Sequence, residues 1–361
     1  MVDSTPKKQG YFMPAEWTAH EATWLSWPKN PLTFPSDIID AVEKIYCQMV
    51  GALQDGEAVK ILVDNSQEEQ RVRSILHANG VACRNLVFYN IKSADVWMRD
   101  YGLTFLLKRK NLSENENGAG KTVGTAGAKA AVKWIFNAWG EKYDDLLPDN
   151  AAGEQIAKLQ EAAGLQVFRP NIVMEGGSIE VNGQGTVLVT EQCLLNKNRN
   201  PKLGRTQIEG HLKNNLGVDE VIWLKDGIAG DDTDGHVDDF ARFVGKETVV
   251  CAYEENKADA NRKPLAAAYS SLCKRFETIK LPMPAAIIDP VENRRLPASY
   301  ANFYMANGIV LLPVFGDRKD KAAQETLQTC FPKHEVVPIQ AKELVYGYGG
   351  IHCVTQQEPK V

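Results

Sequence analysis

The sequence predicts an α/β fold assembled from five ββαβ-type units that close in a ring around a pseudo-symmetry axis. Three observations predict it. Pairs of short apolar segments that turn at Gly or Asn recur along the chain, as in SIEVNGQGTVLVT, ARFVGKETVVCAY and FYMANGIVLLPVF. A helix and a further strand separate successive pairs, as in 320–328 followed by HEVVPI. The hairpins begin near Asp100, Gly177, His236, Ser299 and Gly350, and the longest interval holds an inserted loop. Units that cannot bury their faces alone stack against copies of themselves. The plain alternative is two unrelated α/β domains with ordinary hairpins.

Taken in order, the elements support the repeat. ATWLSW, flanked by Trp17 and Trp27, reads as a strand tied into the core. Ile38, Ile39, Val42, Ile45, Tyr46, Met49 and Val50 recur at helical spacing, which predicts one amphipathic helix from Pro35 to about Gln54. AVKILVD is a buried strand, 66–78 a second helix stopped by Asn79-Gly80, and LVFYNI another strand. DVWMRDYGLTFLL is a polar turn running into a strand. Residues 109–130 are polar and Gly-rich, which predicts an exposed loop. Trp134, Phe136 and Trp139 then return abruptly, so the whole insertion, 109–140, reads as a candidate lid. A helix is expected near 151–163. GGIHCVTQQ is a last copy cut short, and its missing partner is the N-terminal ATWLSW strand. The chain is read as a single domain over 1–361.

Composition narrows the function. The chain has 361 residues, a formal charge of −5 and seven Cys. Slight acidity argues against nucleic-acid and membrane surfaces and suits a small cationic substrate. An odd number of Cys without CxxC pairs fits reduced thiols in the cytoplasm. No secretory leader or membrane-spanning run is visible. Zinc, P-loop and dinucleotide patterns are absent, so neither a metal nor a cofactor is expected. Assembly of identical chains is left open.

The hairpin starts carry the chemistry. They bring one thiol (Cys353), one imidazole (His236) and three carboxylates (Asp100, Glu175 and Asp238) to Gly-rich or polar approaches to apolar strands. Strand alternation would put His236 and Asp238 on one face. A planar cation with several N–H donors, a guanidinium, is what such carboxylates would hold in bidentate pairs. A nearby cation also favours the thiolate, and His236 could move the protons of a C–N cleavage. Each residue has a plainer reading: a turn carboxylate for Asp100 or Glu175, a solvated loop residue for His236, a core side chain for Trp97. Only the joint pattern points to chemistry.

The motifs MPAEWTAHEATWLSWP, VWMRDYG, FNAWGEKY, EGGSIEVNGQGT, GDDTDGHVDDFARF, LPASYANFYMANG and YGYGGIHCVTQQEP run in order over about residues 10–358. With them the chain resembles the agmatine deiminase and Porphyromonas-type peptidylarginine deiminase family of guanidino-modifying enzymes. The resemblance implies the five-bladed α/β propeller, or pentein fold. It implies Cys353 as nucleophile, His236 rather than His352 as general acid/base, Asp100 and Asp238 as guanidinium ligands and Glu175 as an orienting carboxylate. Trp97 falls on the wall over the substrate's alkyl chain, and Trp139, in FNAWG, belongs to the candidate lid. The implied reaction converts agmatine to N-carbamoylputrescine and ammonia through an S-alkylthiouronium, on a route to putrescine. One departure matters: TDGHVDD stands where agmatine-specific members read closer to TNGHVDN. Extra carboxylates would suit a free amine tail, and Asp232 or Asp234 is the expected ammonium partner. The alternatives are a peptidylarginine deiminase, an amidinotransferase, a non-catalytic guanidinium-binding protein and a Cys protease.

Overall fold

The computed structural model describes residues 4–109 and 125–361. Among the described residues the strands form five separate sheets. Each contains an antiparallel pair followed by a parallel partner, and the first adds Tyr11–Phe12 antiparallel to its edge. Thr104–Arg109 pairs antiparallel with Thr125–Val132, and the latter runs parallel to Gln166–Phe168. The same order recurs for Glu180–Val181, Thr186–Thr190 and Glu220–Leu224. It recurs for Ala241–Phe243, Thr248–Tyr253 and Glu277–Pro282, and for Tyr304–Ala306, Ile309–Val314 and Glu335–Gln340. The last unit joins the two chain ends. Gln356–Pro359 pairs antiparallel with His20–Ser26, which runs parallel to Ala58–Val63.

Helices make the crossovers that parallel pairing requires. They are Ile39–Leu53, Asp149–Ala162, Arg205–Leu216, Arg262–Leu272 and Asp320–Cys330. Ser66–Ala78 adds a further crossover to Leu86–Asn90. Asn65 caps it by accepting from the backbone N–H of Gln67 and Glu68. The central strands are almost continuously apolar and buried, as in Val187, Leu188 and Val189 or Val310, Leu311 and Leu312. Strands covered on both faces read this way rather than as alternation. No helix among the described residues is long and apolar enough to cross a membrane.

The expected loop over 109–130 needs correction. Residues 110–124 lie outside the described residues, but Thr125–Val132 is a strand. Ala130, Ala131 and Val132 are fully buried there. Their bulk is small because Leu106 and Leu107 on the paired strand supply it, so the segment carries no apolar signature of its own. Trp134, Phe136 and Trp139 are buried in the body of the protein.

Candidate active site

The site grows from loops that precede the antiparallel pairs. Met98–Tyr101 is a single helical turn that buries Asp100. Asp100 Oδ1 accepts from the Gly177 backbone N–H at 2.9 Å, and Oδ2 accepts from Trp139 Nε1 at 2.9 Å. Gly177 has to be glycine for a steric reason. A Cβ there would lie 2.5 Å from His236 Nδ1, 3.0 Å from Asp238 Oδ2 and 3.1 Å from Asp100 Oδ1. The bare backbone is therefore the surface on which these three side chains meet.

His236 and Asp238 do come together, though not by strand alternation. Residues Val237–Asp239 form one 3-10 turn, and the strand begins only at Ala241. Asp231 holds that turn by accepting from the backbone N–H of Gly235 at 2.6 Å and of His236 at 3.0 Å. His236 Nδ1 lies 3.9 Å from Asp100 Oδ1 and Nε2 lies 4.0 Å from Glu175 Oε2. Glu175 is fully buried, and its Oε1 accepts from Arg199 Nε at 2.6 Å. Glu175 Oε2, His236 Nε2 and Asp238 Oδ1 are buried without a hydrogen-bond partner among the described residues. Buried polar atoms are seldom left so, and three together point to a missing ligand or water.

Cys353 follows a Gly-rich turn. A Cβ on Gly349 would sit 2.3 Å from the Trp97 ring and 3.1 Å from Cys353 Cβ, so the turn stays open only as glycine. Asn302, which sequence reasoning passed over, organises this corner. Its Nδ2 lies 3.2 Å from Cys353 Sγ and 2.9 Å from Asp239 Oδ1, and its Oδ1 accepts from His352 N at 2.9 Å. The signal was present: Asn302 begins the fourth hairpin, the one hairpin start to which no chemistry had been given.

Burial pushes the Cys353 thiol well above its usual value, and the charges of Asp238, Asp239 and Asp100 push it further. Burial also raises Asp100; Asp238 and Glu175 add to the rise while His236 opposes it. Asp239 is raised well above the carboxylate range by burial and by Asp238 and Asp231. Burial pushes Asp238 up as well, but hydrogen bonding to His352 and the charges of His352, His236 and Arg242 outweigh it, so its carboxyl ends lowered. Burial is the first cause of the rises at Cys353, Asp100 and Asp239, and neighbouring carboxylates add to it, a contribution that a bound cation would offset.

A cavity of about 340 Å³ leads to Cys353 and Asp100, with Trp97 and Trp139 as inner walls. The two indoles meet edge to face at 6.0 Å. Farther out the cavity is lined by Tyr143, Asp232, Arg294 and Tyr348. Asp232 accepts a hydrogen bond from Tyr143 and lies 3.4 Å from Arg294. Asp234 is placed differently. It is not among the lining residues, and Lys142 at 2.8 Å, Asn198 at 2.9 Å and Arg199 at 2.6 Å occupy its oxygens. Off the cavity wall and paired with two cations, it braces Arg199 instead of offering itself to a ligand. Arg199 itself was invisible in the sequence, because its partners lie 24 and 35 residues away.

Among the described residues two triads bring ligand-type atoms within 4.8 Å: Glu175, Cys193 and His236, and Asp238, Asp239 and Cys353. In the first, the Arg199 guanidinium already pairs with Glu175 at 2.6 Å and opposes a second compact cation.

Comparison with known proteins gives this geometry its context. The profile of the Porphyromonas-type peptidyl-arginine deiminase family matches residues 12–359. A Legionella pneumophila (strain Paris) protein, provisionally named agmatine deiminase, is 35% identical over 99% of this chain and 98% of its own. The structure of Enterococcus faecalis agmatine deiminase is 32% identical, with a TM-score of 0.85 over 100% of this chain and 99% of that one. A substrate-bound Cys-to-Ser variant of C. jejuni agmatine deiminase is 28% identical, with a TM-score of 0.83 over 97% and 96% of the two chains.

Proposed function

We propose that this chain, which belongs to the Porphyromonas-type peptidyl-arginine deiminase family, hydrolyses agmatine to N-carbamoylputrescine and ammonia. The observation that carries the reading is the set of unpartnered buried atoms, Glu175 Oε2, His236 Nε2 and Asp238 Oδ1, gathered beside Asp100 and Cys353. A guanidinium offers N–H donors along its edges and a central carbon to the thiol. The relatives named for agmatine support the choice of substrate.

In this mechanism Asp100 and Asp238 hold opposite edges of the guanidinium, and Trp97 covers the alkyl chain. The cation offsets the negative charge that raises Cys353, so its proton passes to His236 as substrate binds. The thiolate attacks the guanidinium carbon. His236 returns a proton to the departing nitrogen, the C–N bond breaks and ammonia leaves. The S-alkylthiouronium is then attacked by water, whose proton His236 takes. The C–S bond breaks as the remaining hydroxyl proton passes to the sulfur, which releases the ureido product and restores the thiol, and His236 gives its proton to solvent. Glu175, fixed by Arg199, orients His236. The substrate's ammonium pairs with Asp232 at the outer end of the cavity.

The repeated sheet order supports a five-bladed α/β propeller in a single deiminase domain. Seven free thiols fit a cytoplasmic setting, and the product fits putrescine formation. A peptide-borne arginine is the second reading. Leu32, which lines the cavity yet is 76% exposed, would suit a larger apolar neighbour. Ammonia release from agmatine, free arginine and an arginine peptide, each beside Cys353→Ser, tests the choice. Release from agmatine alone, lost in the variant, is expected. Release from the peptide alone would move the substrate, and undiminished release by Cys353→Ser would remove the mechanism.

A further inference from the structure

Behind the site lies a buried ionic network that the proposed chemistry does not use. Arg242 donates to Glu16 at 2.9 Å, to Glu180 at 3.0 Å, and to the carbonyls of Phe303 at 2.6 Å and Ala301 at 3.1 Å. Glu180 also accepts from the Phe243 N–H at 2.8 Å, and Glu16 from the Met305 N–H at 2.8 Å. Arg99, next to Asp100, lies 3.6 Å from Glu16 and donates to Gln357 at 2.6 Å and to the His352 carbonyl at 3.2 Å. The network thus joins residues that flank or belong to all five sheets.

His352 connects this network to the site. Its Nδ1 is 2.7 Å from Asp238 Oδ2, and its Nε2 is 2.7 Å from Glu16 Oε2. The ring is 1% exposed, so no water competes for either nitrogen. An ionised carboxylate only accepts hydrogen bonds. Burial opposes ionisation of Glu16, but Arg242, His352 and Arg99 prevail and hold it well below the usual range. Two such neighbours are both satisfied only when both ring nitrogens carry protons. Arg242 faces both Glu16 and Glu180, and burial raises the Glu180 carboxyl.

We propose that His352 is a positioning residue whose doubly protonated ring engages Asp238 Oδ2 and so turns the unpartnered Oδ1 toward the substrate guanidinium. The proposal rests on Asp238 as a guanidinium ligand. Without His352, Asp238 would lose the hydrogen bond that fixes Oδ2, and only His236 and Arg242 would offset its charge. The residue adjoining the nucleophile thereby sets the direction of the carboxylate that receives the substrate, without touching the substrate itself.

The test uses Cys353→Ser protein labelled with 15N-histidine. Among six histidines, His20 also faces acceptors at both ring nitrogens, so the expected result at neutral pH is a ring with two slowly exchanging N–H signals that vanishes in His352→Gln and persists in His20→Gln. Agmatine and free guanidinium should each bind at least about tenfold more weakly to Cys353→Ser/His352→Gln, since a charge-assisted hydrogen bond is lost. Circular dichroism and Tm report whether that variant is folded. A single N–H on His352, or unchanged affinity in a folded His352→Gln protein, overturns the proposal. If His352→Gln does not fold, the ring signals of the unaltered His352 decide, assigned by loss of the other histidines in turn. If neither probe binds while His352 is intact and doubly protonated, the guanidinium reading itself falls and takes the proposal with it.

Discussion

Gly177→Ala perturbs the site by one methyl group. The added Cβ would stand 2.5 Å from His236 Nδ1, whereas carbon in van der Waals contact needs about 3.5 Å. His236 must therefore give way by about 1 Å. It is 1% exposed and hemmed by Asp100 and Glu175, so movement in one direction opens a gap in another. Overpacking of this kind costs about 1–3 kcal/mol of stability, and the protein should still fold. A misplacement of about 1 Å in a catalytic constellation costs about a hundredfold in rate. The expectation is a kcat about a hundredfold lower with a Tm lowered by only a few degrees, read by continuous ammonia release and thermal melting. A variant within threefold of wild-type kcat would show that His236 need not occupy this position. The meeting of His236, Asp100 and Asp238 over a bare backbone would then lose its functional meaning.

Trp139→Phe keeps an aromatic wall but removes the indole N–H held by Asp100 Oδ2. A bond to a carboxylate is worth about 1.5–3 kcal/mol, so kcat/KM for agmatine should fall about ten- to a hundredfold; an unchanged value would reduce Trp139 to a wall. Arg294→Gln frees Asp232 of the only cationic side chain lining the described cavity. KM for agmatine should drop by up to about fivefold, as an exposed pair of this kind is worth up to about 1 kcal/mol, while KM for a neutral alkylguanidine should not move. Equal shifts for both substrates would refute the tail assignment. Asp95 and Asp149 are pushed up to about 6 and about 8, chiefly by burial. Between the ordinary Asp value of about 4 and those raised values the folded protein holds more protons than the unfolded chain, so their contribution is full below about 4 and is lost as pH rises from there through 6 and 8. Tm should fall over that rise, and Asp95→Asn should flatten its first part; a Tm that climbs equally in both proteins would contradict the sign.

What could be read from the sequence divides by distance along the chain. Helix 66–78 was visible because Asn-Gly ends it and its cap is local. The pairing of the C-terminal segment with ATWLSW was visible because the repeat left both without partners. Thr125–Val132 was not, since its burial depends on leucines across the sheet. The chemical residues stood out because Cys, His, Asp and Glu beside Gly are conspicuous. Asn302 and Arg199 did not stand out, because their roles exist only through partners brought near by folding. Asp232 and Asp234 show the limit most clearly. Two residues apart and chemically alike, one lines the cavity and the other is consumed by Lys142, Asn198 and Arg199.

The repeat also accounts for a nucleophile so near the C-terminus. Cys353 lies three residues before the strand Gln356–Pro359, and that strand is held from several sides. Gln357 accepts from Arg99, whose neighbour Asp100 lines the same cavity. Glu358 accepts from Trp24 Nε1 at 2.8 Å, Lys60 at 2.7 Å and Lys129 at 2.5 Å. Burial pushes Glu358 up, yet the two lysines outweigh it and its carboxyl remains lowered. Lys60 comes from the parallel partner of His20–Ser26, and Lys129 from the strand after the insertion. Here two different sheets contribute cations to one buried carboxylate, and the strand they hold positions the thiol. His20–Ser26 completes the sheet of this unit, and the ion pairs of Glu358 with Lys60 and Lys129 hold the strand that follows Cys353.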